Sequence, residues 1–177
     1  MNISGGNITA IGGDSAAGIG GANDASCGTV IVTGGTVKTT GGRCGAGIGG
    51  GYDGSGGNVI ISGGTLTATG GFDAAGIGGG YLYDGGGELV ISGGTVTATG
   101  GSPTAAGIGG GSCGGVSGTP GKLTIGYEKI QSKSLVINSG WSLYYGDSEN
   151  PTKHVDGKHN SDDLNKYAKQ FMRVEKP

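Results

Sequence analysis

The sequence has few aromatic residues, few charges and almost no cysteine or histidine. Aromatic residues make up 6% and charged residues 14% of its 177 residues, and the formal net charge is −2 at neutral pH. Because this charge is small, the composition gives no electrostatic basis for binding nucleic acid or an acidic membrane surface. No apolar run is long enough to span a bilayer. We therefore predict neither nucleic-acid binding nor membrane insertion.

The rare cysteines and histidines exclude further classes of site. The three cysteines occupy dissimilar positions without a Cys-x-x-Cys pair: Cys27, Cys44 and Cys113. Such spacing predicts neither a disulfide framework nor a zinc site. The two histidines, His154 and His159, lie in a polar stretch (153–163) that we predict to be a solvated loop. Nothing orients them toward Ser161 as a catalytic triad requires. From the cysteines and histidines together, we expect no metal and no cofactor.

Glycine is the residue in excess, with 47 in the chain, and it does not follow the three-residue period of collagen. One phrase, Ala-Gly-Ile-Gly-Gly, begins at four positions: Ala17, Ala46, Ala75 and Ala106. A recurring phrase at about 30-residue spacing indicates one supersecondary unit stacked on itself. The composition changes near residue 121, after which charged and aromatic residues replace glycine. We predict glycine-rich repeats over 1–121, and over 122–177 a last partial rung with a C-terminal cap.

Each repeat contains three short candidate strands between glycine corners, in the third repeat at 58–62, 65–69 and 74–78. Alternation of side chains assigns Val59 and Ile61 in the first strand, and Leu66 and Ala68 in the second, to the core. One repeat cannot bury both faces of such short strands, so the copies must stack in parallel at about 4.8 Å per rung.

The predicted fold is an all-β, right-handed parallel β-helix (β-solenoid) of four to five three-stranded rungs with a C-terminal capping segment. The right hand follows from the strong preference of parallel crossovers. In the C-terminal region we predict strands at 122–125, 134–137, 141–145 and 170–174 and one short helix over 161–167. The first rung leaves sheet edges unpaired. We expect that the array continues beyond this sequence or that these edges bind a partner.

Residues 61–71, Ile-Ser-Gly-Gly-Thr-Leu-Thr-Ala-Thr-Gly-Gly, are followed by Ala-Gly-Ile-Gly-Gly-Gly from Ala75. This pattern resembles the glycine-rich right-handed parallel β-helix repeats of secreted and cell-surface proteins of Gram-positive bacteria, and the resemblance covers residues 2 to about 125. It implies a non-enzymatic, structural or adhesin-like module that is extracellular or at the cell surface. The family has no active site whose residues could be assigned to this chain. The first residues lack a signal-peptide pattern, so we expect any secretion signal outside this sequence.

Two surfaces are candidates for ligand binding. The outward face of the second strands predicts a candidate ligand face, here called the threonine grid: Thr36, Thr65, Thr67, Thr69, Thr95, Thr97 and Thr99. This grid resembles those of ice-binding proteins. The high β-propensity of threonine explains it equally well without a ligand. Lys38 also interrupts the grid. The loops after the third strands predict a candidate glycan loop: Tyr52, Asp53, Tyr81, Tyr83 and Asp84. A tyrosine beside a carboxylate can stack on a sugar and hydrogen-bond it, or it can simply cover a glycine-rich edge.

The outward positions of the third strands are glycines: Gly18, Gly47, Gly76 and Gly107. They predict a bare, flat backbone face that could pack against the C-terminal segment, a second chain or another module.

Enzymatic function has little support in the sequence. The Gly-x-Gly-x-x-Gly at 45–50 precedes a glycine loop and not the helix of a dinucleotide site. The acidic residues are scattered; Asp14 and Asp73 are predicted at one corner, two rungs apart, with Arg43 between them. Paired-carboxylate hydrolysis needs two such groups at a short, defined separation. We therefore predict no catalytic residues and a structural or adhesin-like module, with carbohydrate binding or ice binding as alternatives and a polysaccharide-active enzyme third. The expected partners are a glycan, a surface protein or another copy, bound end to end or side by side.

Overall fold

The computed structural model describes residues 1–82 and 85–114 with their side chains and, as backbone strands, residues 116–117, 122–125, 142–146, 153–156 and 171–175. Every regular element in these ranges is a β-strand, and they contain no helix. The helix predicted at 161–167, the strand predicted at 134–137, and Tyr83 and Asp84 lie outside the described residues.

Three strands from each repeat form three parallel stacks. The first strands are β1 (Asn2–Ile3), β4 (Thr29–Val32), β7 (Asn58–Ile61) and β10 (Glu88–Ile91). The second strands are β2 (Asn7–Ile11), β5 (Thr36–Thr40), β8 (Thr65–Thr69) and β11 (Thr95–Thr99). The third strands are β3 (Ile19–Gly20), β6 (Ile48–Gly49), β9 (Ile77–Gly78) and β12 (Ile108–Gly109). Each pairs in parallel with its counterpart in the next repeat, so four complete rungs form a β-solenoid, as predicted.

The register confirms the predicted core. Val37 in rung two pairs with Leu66 in rung three, which pairs with Val96 in rung four. All three side chains are buried, because alternation along each short strand directs every second residue inward. Most of the other predicted inward aliphatics are also buried, while Ile8, Ala10 and Ile108 in the end rungs are partly buried and pack against the core. Burying such a side chain stabilises the fold by about 1.5–3 kcal/mol. The third strands are shorter than predicted, two residues each.

The C-terminal strands change the direction of pairing. The short strands β13 (Ser112–Cys113) and β14 (Val116–Ser117) pair antiparallel with each other. The strand β15 (Lys122–Ile125) pairs in parallel with β10, which confirms the partial fifth rung. The strands β16 (Ser142–Gly146), β17 (Lys153–Asp156) and β18 (Phe171–Glu175) then extend this sheet antiparallel, in the order β15-β18-β16-β17. Two of these were predicted within one residue. The strand β17 corrects the interpretation of 153–163 as loop throughout, because His154 lies in it, opposite Tyr144.

The outward glycines of the third strands do not form a bare face, so that prediction is wrong for Gly18, Gly47 and Gly76. A Cβ atom built on Gly47 would lie 2.7 Å from the Thr69 nitrogen, and one built on Gly76 would lie 2.6 Å from the Thr99 nitrogen. Real Cβ atoms essentially never approach another heavy atom closer than 3.0 Å. This side of each third strand packs against the end of the next rung's second strand, so the close approach of two backbones requires glycine.

One buried hydroxyl in the core has no hydrogen-bond partner. Thr39 is 0% exposed and sits between Ala10 and Ala68 of the neighbouring rungs, and its Oγ1 makes no hydrogen bond. An unsatisfied buried hydroxyl costs about 1–3 kcal/mol. Thr39→Val is therefore expected to raise the free energy of unfolding by about 1 kcal/mol, measured by denaturant titration. Thr40→Val, which changes a half-buried outward position beside it, is expected to change it by less than about 0.5 kcal/mol. A loss of stability in Thr39→Val contradicts this assignment.

Candidate ligand-binding site

Two kinds of turn, far apart in sequence, meet on one side of the solenoid. The Tyr81 N–H, in the loop after β9, donates to the Cys44 carbonyl oxygen in the corner after β5 (N to O, 3.0 Å). One rung lower, the Tyr52 N–H donates in the same way to the Ser15 carbonyl oxygen at 2.9 Å. The loop after each third strand thus rests on the corner of the preceding rung, and stacking alone creates this contact.

At this junction lies a group of three aromatic side chains, Tyr52, Phe72 and Tyr81, here called the aromatic cluster. The ring centroids of Tyr52 and Tyr81 are 5.6 Å apart with 37° between the ring planes, and those of Phe72 and Tyr81 are 6.5 Å apart at 40°. Both separations fall in the range in which aromatic pairs attract. Phe72 is 60% exposed, and the two tyrosines are half-buried. The cluster therefore presents apolar ring surface beside tyrosine hydroxyls.

Backbone hydrogen bonds also join the two tyrosines to neighbouring rungs. The Asp53 N–H donates to the Tyr81 carbonyl oxygen, and the Asp24 N–H donates to the Tyr52 carbonyl oxygen, both at 2.8 Å. Asp53 and Asp24 have left-handed φ values of 53° and 55°, which aspartate tolerates better than most residues. Tyr52 and Tyr81 therefore occupy equivalent positions on adjacent rungs, as predicted, and the exposed Asp53 lies next to the cluster.

Cys113 borders the cluster at its upper side. Its thiol lies 3.9 Å from the Tyr81 hydroxyl, within the range of a sulfur hydrogen bond. The hydrogen-bonding contact with Cys113 raises the pKa of Tyr81 above its ordinary value. The Tyr81 hydroxyl can also donate a hydrogen bond to a ligand. Cys27, Cys44 and Cys113 are all free thiols.

The corner charges are placed differently from the prediction. The Gly42 N–H donates to the Ala16 carbonyl oxygen, and the equivalent Gly71 N–H donates to the Gly45 carbonyl oxygen. Phe72 therefore stands at the corner position of Arg43, and Asp73 at that of Cys44. Asp14 and Asp73 are thus at different positions of the corner, and Asp73 is only 8% exposed. Burial raises the pKa of the Cys44 thiol, and the nearby Asp14 and Asp73 carboxylates raise it further against the opposing effect of Arg43. Both aspartates lie at one corner, two rungs apart, as predicted, and Asp14 is exposed, but Asp73 is buried and is not an outward charge.

The threonine grid has the predicted register. Thr67 pairs with Thr97, and the flanking columns join Thr36 to Thr65 and Thr95, and Thr69 to Thr99. All the grid side chains are exposed or half-buried. The exposed Lys38 pairs with Thr67 and so occupies the middle column. The structure therefore brings the grid residues onto one face and places a cation within it.

In the ranges that the structure describes, no group of three or more His, Cys, Asp or Glu side chains could hold a metal ion. The same ranges contain no helix long and apolar enough to cross a membrane. The expected lack of a cofactor remains a prediction.

Four in-register rungs with three strands each define a parallel β-solenoid. The family model for the beta helix repeat matches residues 2–23, 30–52, 59–81 and 89–112, just over half of the chain. The chain belongs to the beta helix repeat family. No curated protein and no solved structure matches it. The matched segments 30–52 and 59–81 end at Tyr52 and Tyr81, so they include all three residues of the aromatic cluster.

Sequence reasoning missed Phe72 as a member of the site. The available signal was a break in the repeat, because an aromatic residue stands where the first two corners carry the charged residues Asp14 and Arg43 and the fourth carries Ser102. Of the other predicted loop residues, the structure brings Tyr52, Asp53 and Tyr81 together.

Proposed function

We propose that this chain is a non-catalytic, structural and adhesive module of a secreted or surface-attached bacterial protein, and that its aromatic cluster binds a glycan. The observation that carries the proposal is the exposed aromatic cluster on two hydrogen-bonded turns of a solenoid. A module of this kind combines a stiff spacer with a fixed contact point.

The solenoid supports the spacer role through its continuous hydrogen bonding. Each inner rung pairs with the rung above and the rung below in all three sheets, and aliphatic side chains fill the interior between them. Repeat proteins of this type derive stability from contacts between neighbouring rungs, which resist bending and local opening. The outward side chains are consequently held at regular spacing along the axis.

The aromatic cluster supports binding of a neutral sugar. The apolar face of a pyranose ring can stack on Phe72, which is 60% exposed, while its hydroxyl groups hydrogen-bond the Tyr81 hydroxyl and the Asp53 carboxylate. The exposed Asp53 disfavours acidic sugars by charge repulsion. Fixed loops reduce the ordering cost of binding, because little conformational entropy remains to be lost.

A glycan array probed with the purified chain tests the function directly. We expect binding to neutral oligosaccharides and no cleavage of the bound glycans after prolonged incubation. Binding that is confined to acidic glycans contradicts the ligand class. Release of shortened glycans contradicts the non-catalytic assignment and favours a polysaccharide-active enzyme.

Ice binding is a second candidate, because the threonine columns are in register. Lys38 weighs against it, since a flexible ammonium group in the middle column interrupts an ordered water layer. We expect the purified chain to leave growing ice crystals unshaped in nanolitre osmometry, with no thermal hysteresis. Lys38→Thr replaces the cation by threonine and so completes the middle column of the grid. Thr97→Lys in that variant returns one lysine to the same column and is the matched control. Faceted crystals or hysteresis with the unmodified chain favour ice binding over glycan binding.

A further inference from the structure

Asp73 is a buried carboxylate without a partner beside the aromatic cluster. It follows Phe72 in the chain, and its side chain is only 8% exposed. In the part of the chain that the structure describes, its carboxylate accepts no hydrogen bond and forms no ion pair. Thr39 Oγ1 is the only side-chain polar atom there that is both sealed from solvent and unpartnered, so the Asp73 oxygens remain open to solvent. An unpaired charge that is largely buried costs folding free energy, which a bound cation offsets.

The charge of Asp73 acts on the groups at the junction of corner and loop. It adds to the raised pKa of the Tyr81 hydroxyl, whose largest cause is the contact with Cys113. It also adds to the raised pKa of the Cys44 thiol, whose largest cause is burial. Because the Tyr81 N–H donates to the Cys44 carbonyl oxygen, both effects place the carboxylate at the junction where the cluster lies. A ligand that stacks on Phe72 therefore lies beside Asp73.

The charges around the cluster are mostly negative. The described corners and loops after the second and third strands of rungs one to three carry four aspartates: Asp14, Asp24, Asp53 and Asp73. Arg43 is the one basic side chain in these same segments. A surface of this kind attracts cations and raises their local concentration.

We propose that the aromatic cluster, together with Asp53 and Asp73, selects glycans whose sugars carry a free, protonated amino group. This inference rests on the proposed glycan binding and narrows its ligand class. The apolar face of one sugar stacks on Phe72, and ammonium groups on this sugar and its neighbour donate to the two carboxylates. The rings of Tyr52 and Tyr81, whose centroids are 5.6 Å apart, add to the attraction, because a cation within about 6 Å of a ring centroid is stabilised by the ring face.

The carboxylates distinguish a primary amine from related substituents. A carboxylate only accepts hydrogen bonds, and a protonated primary amine supplies three N–H donors together with its charge. A quaternary ammonium group has the charge but no donor, and an acetamido group has a donor but no charge. The free amine is therefore the substituent that satisfies both Asp53 and Asp73.

Calorimetric titration with three β-1,4-linked glycans of equal length tests the proposal. These are oligomers of glucose, N-acetylglucosamine and glucosamine, which differ only in a hydroxyl, acetamido or ammonium group at the same ring carbon. In buffer of moderate salt that keeps the amines protonated, we expect the glucosamine oligomer to bind the unmodified chain at least ~10-fold more tightly than the other two. Choline, which carries charge without an N–H donor, is expected to bind far more weakly.

Asp73→Asn removes the buried charge and keeps the shape of the side chain. Asp73 has a left-handed φ of 56°, which asparagine tolerates as aspartate does, so the melting temperature should not fall. We expect the preference for glucosamine over glucose to fall at least ~5-fold. Asp53→Asn, at an exposed position, is expected to lower the preference by a smaller factor. Asp14→Asn is the matched control, because it removes one exposed charge from the same corner two rungs below, and it should keep the preference.

The outcomes separate this proposal from glycan binding itself. Equal affinity for the three oligomers overturns the preference for amino sugars and leaves glycan binding in place. Failure of all three to bind also overturns it, and the glycan array then decides whether the cluster binds any glycan. A preference that survives both Asp53→Asn and Asp73→Asn, or falls equally in Asp14→Asn, overturns the assignment to these carboxylates. Choline binding as tight as that of the glucosamine oligomer overturns the role of the N–H donors.

Discussion

Gly76→Ala is expected to destabilise the solenoid by about 3 kcal/mol or more, a large effect for one methyl group. The added Cβ would lie 2.6 Å from the Thr99 nitrogen and 2.7 Å from the Gly107 oxygen, both backbone atoms held in sheets. Neither atom can move away without breaking inter-rung hydrogen bonds. In a chain of this size the expected fall in melting temperature is about 6–12 °C or more. Denaturant unfolding monitored by circular dichroism gives the value.

The control is Gly13→Ala. A Cβ atom on Gly13 meets nothing within 4 Å, so this substitution adds a methyl group without a collision. We expect no loss of stability and a gain of up to about 1 kcal/mol, because alanine restricts the unfolded chain. Equal losses in Gly76→Ala and Gly13→Ala contradict the proposed packing of third strands against second strands.

Phe72→Ala/Tyr81→Ala is expected to abolish measurable glycan binding while leaving the fold intact. Each aromatic contact is worth about 0.5–1.5 kcal/mol, so removing two rings weakens binding by about 5- to 150-fold, and weak sugar complexes fall below detection. Neither side chain belongs to the buried core of the described rungs, so the melting temperature should change little. Calorimetric titration with the strongest ligand from the array measures the loss.

Tyr81→Phe separates stacking from hydrogen bonding at the same position. It keeps the ring that lies 5.6 Å from Tyr52 and removes the hydroxyl that contacts Cys113. If stacking dominates, this variant retains most of the affinity. Thr97→Ala, on the separate second-strand sheet, is the surface control and should bind like the unmodified chain. Full glycan affinity in Phe72→Ala/Tyr81→Ala places the glycan elsewhere and contradicts the assigned site.

The fold was predictable because each level of the sequence points to the same structure. The repeated phrase fixes the period, alternation assigns Val37 and Leu66 to the interior, and glycine marks the corners. The C-terminal segment was less predictable, because its strands do not repeat. His154 lies in the strand β17 although its neighbours are polar, since pairing with the strand β16 overrides that local signal.

The sequence predicted only those site residues that lie in the loops after the third strands. Tyr52 and Tyr81 share a repeat position, so sequence alignment alone places them one above the other. Phe72 joins them because the corner after one strand and the loop after another meet when rungs stack, which alternation cannot reveal. Gly47 was assigned to an outer face for a similar reason, because the strand that covers it comes from the next rung.

Inter-strand backbone contacts measured by nuclear Overhauser effects test the stacked, parallel rungs most directly. The account predicts contacts that run in the same direction on adjacent rungs, with Thr36 opposite Thr65 and Thr40 opposite Thr69. Contacts that run in opposite directions, with Thr36 opposite Thr69, would indicate hairpins and contradict both the solenoid and the aromatic cluster.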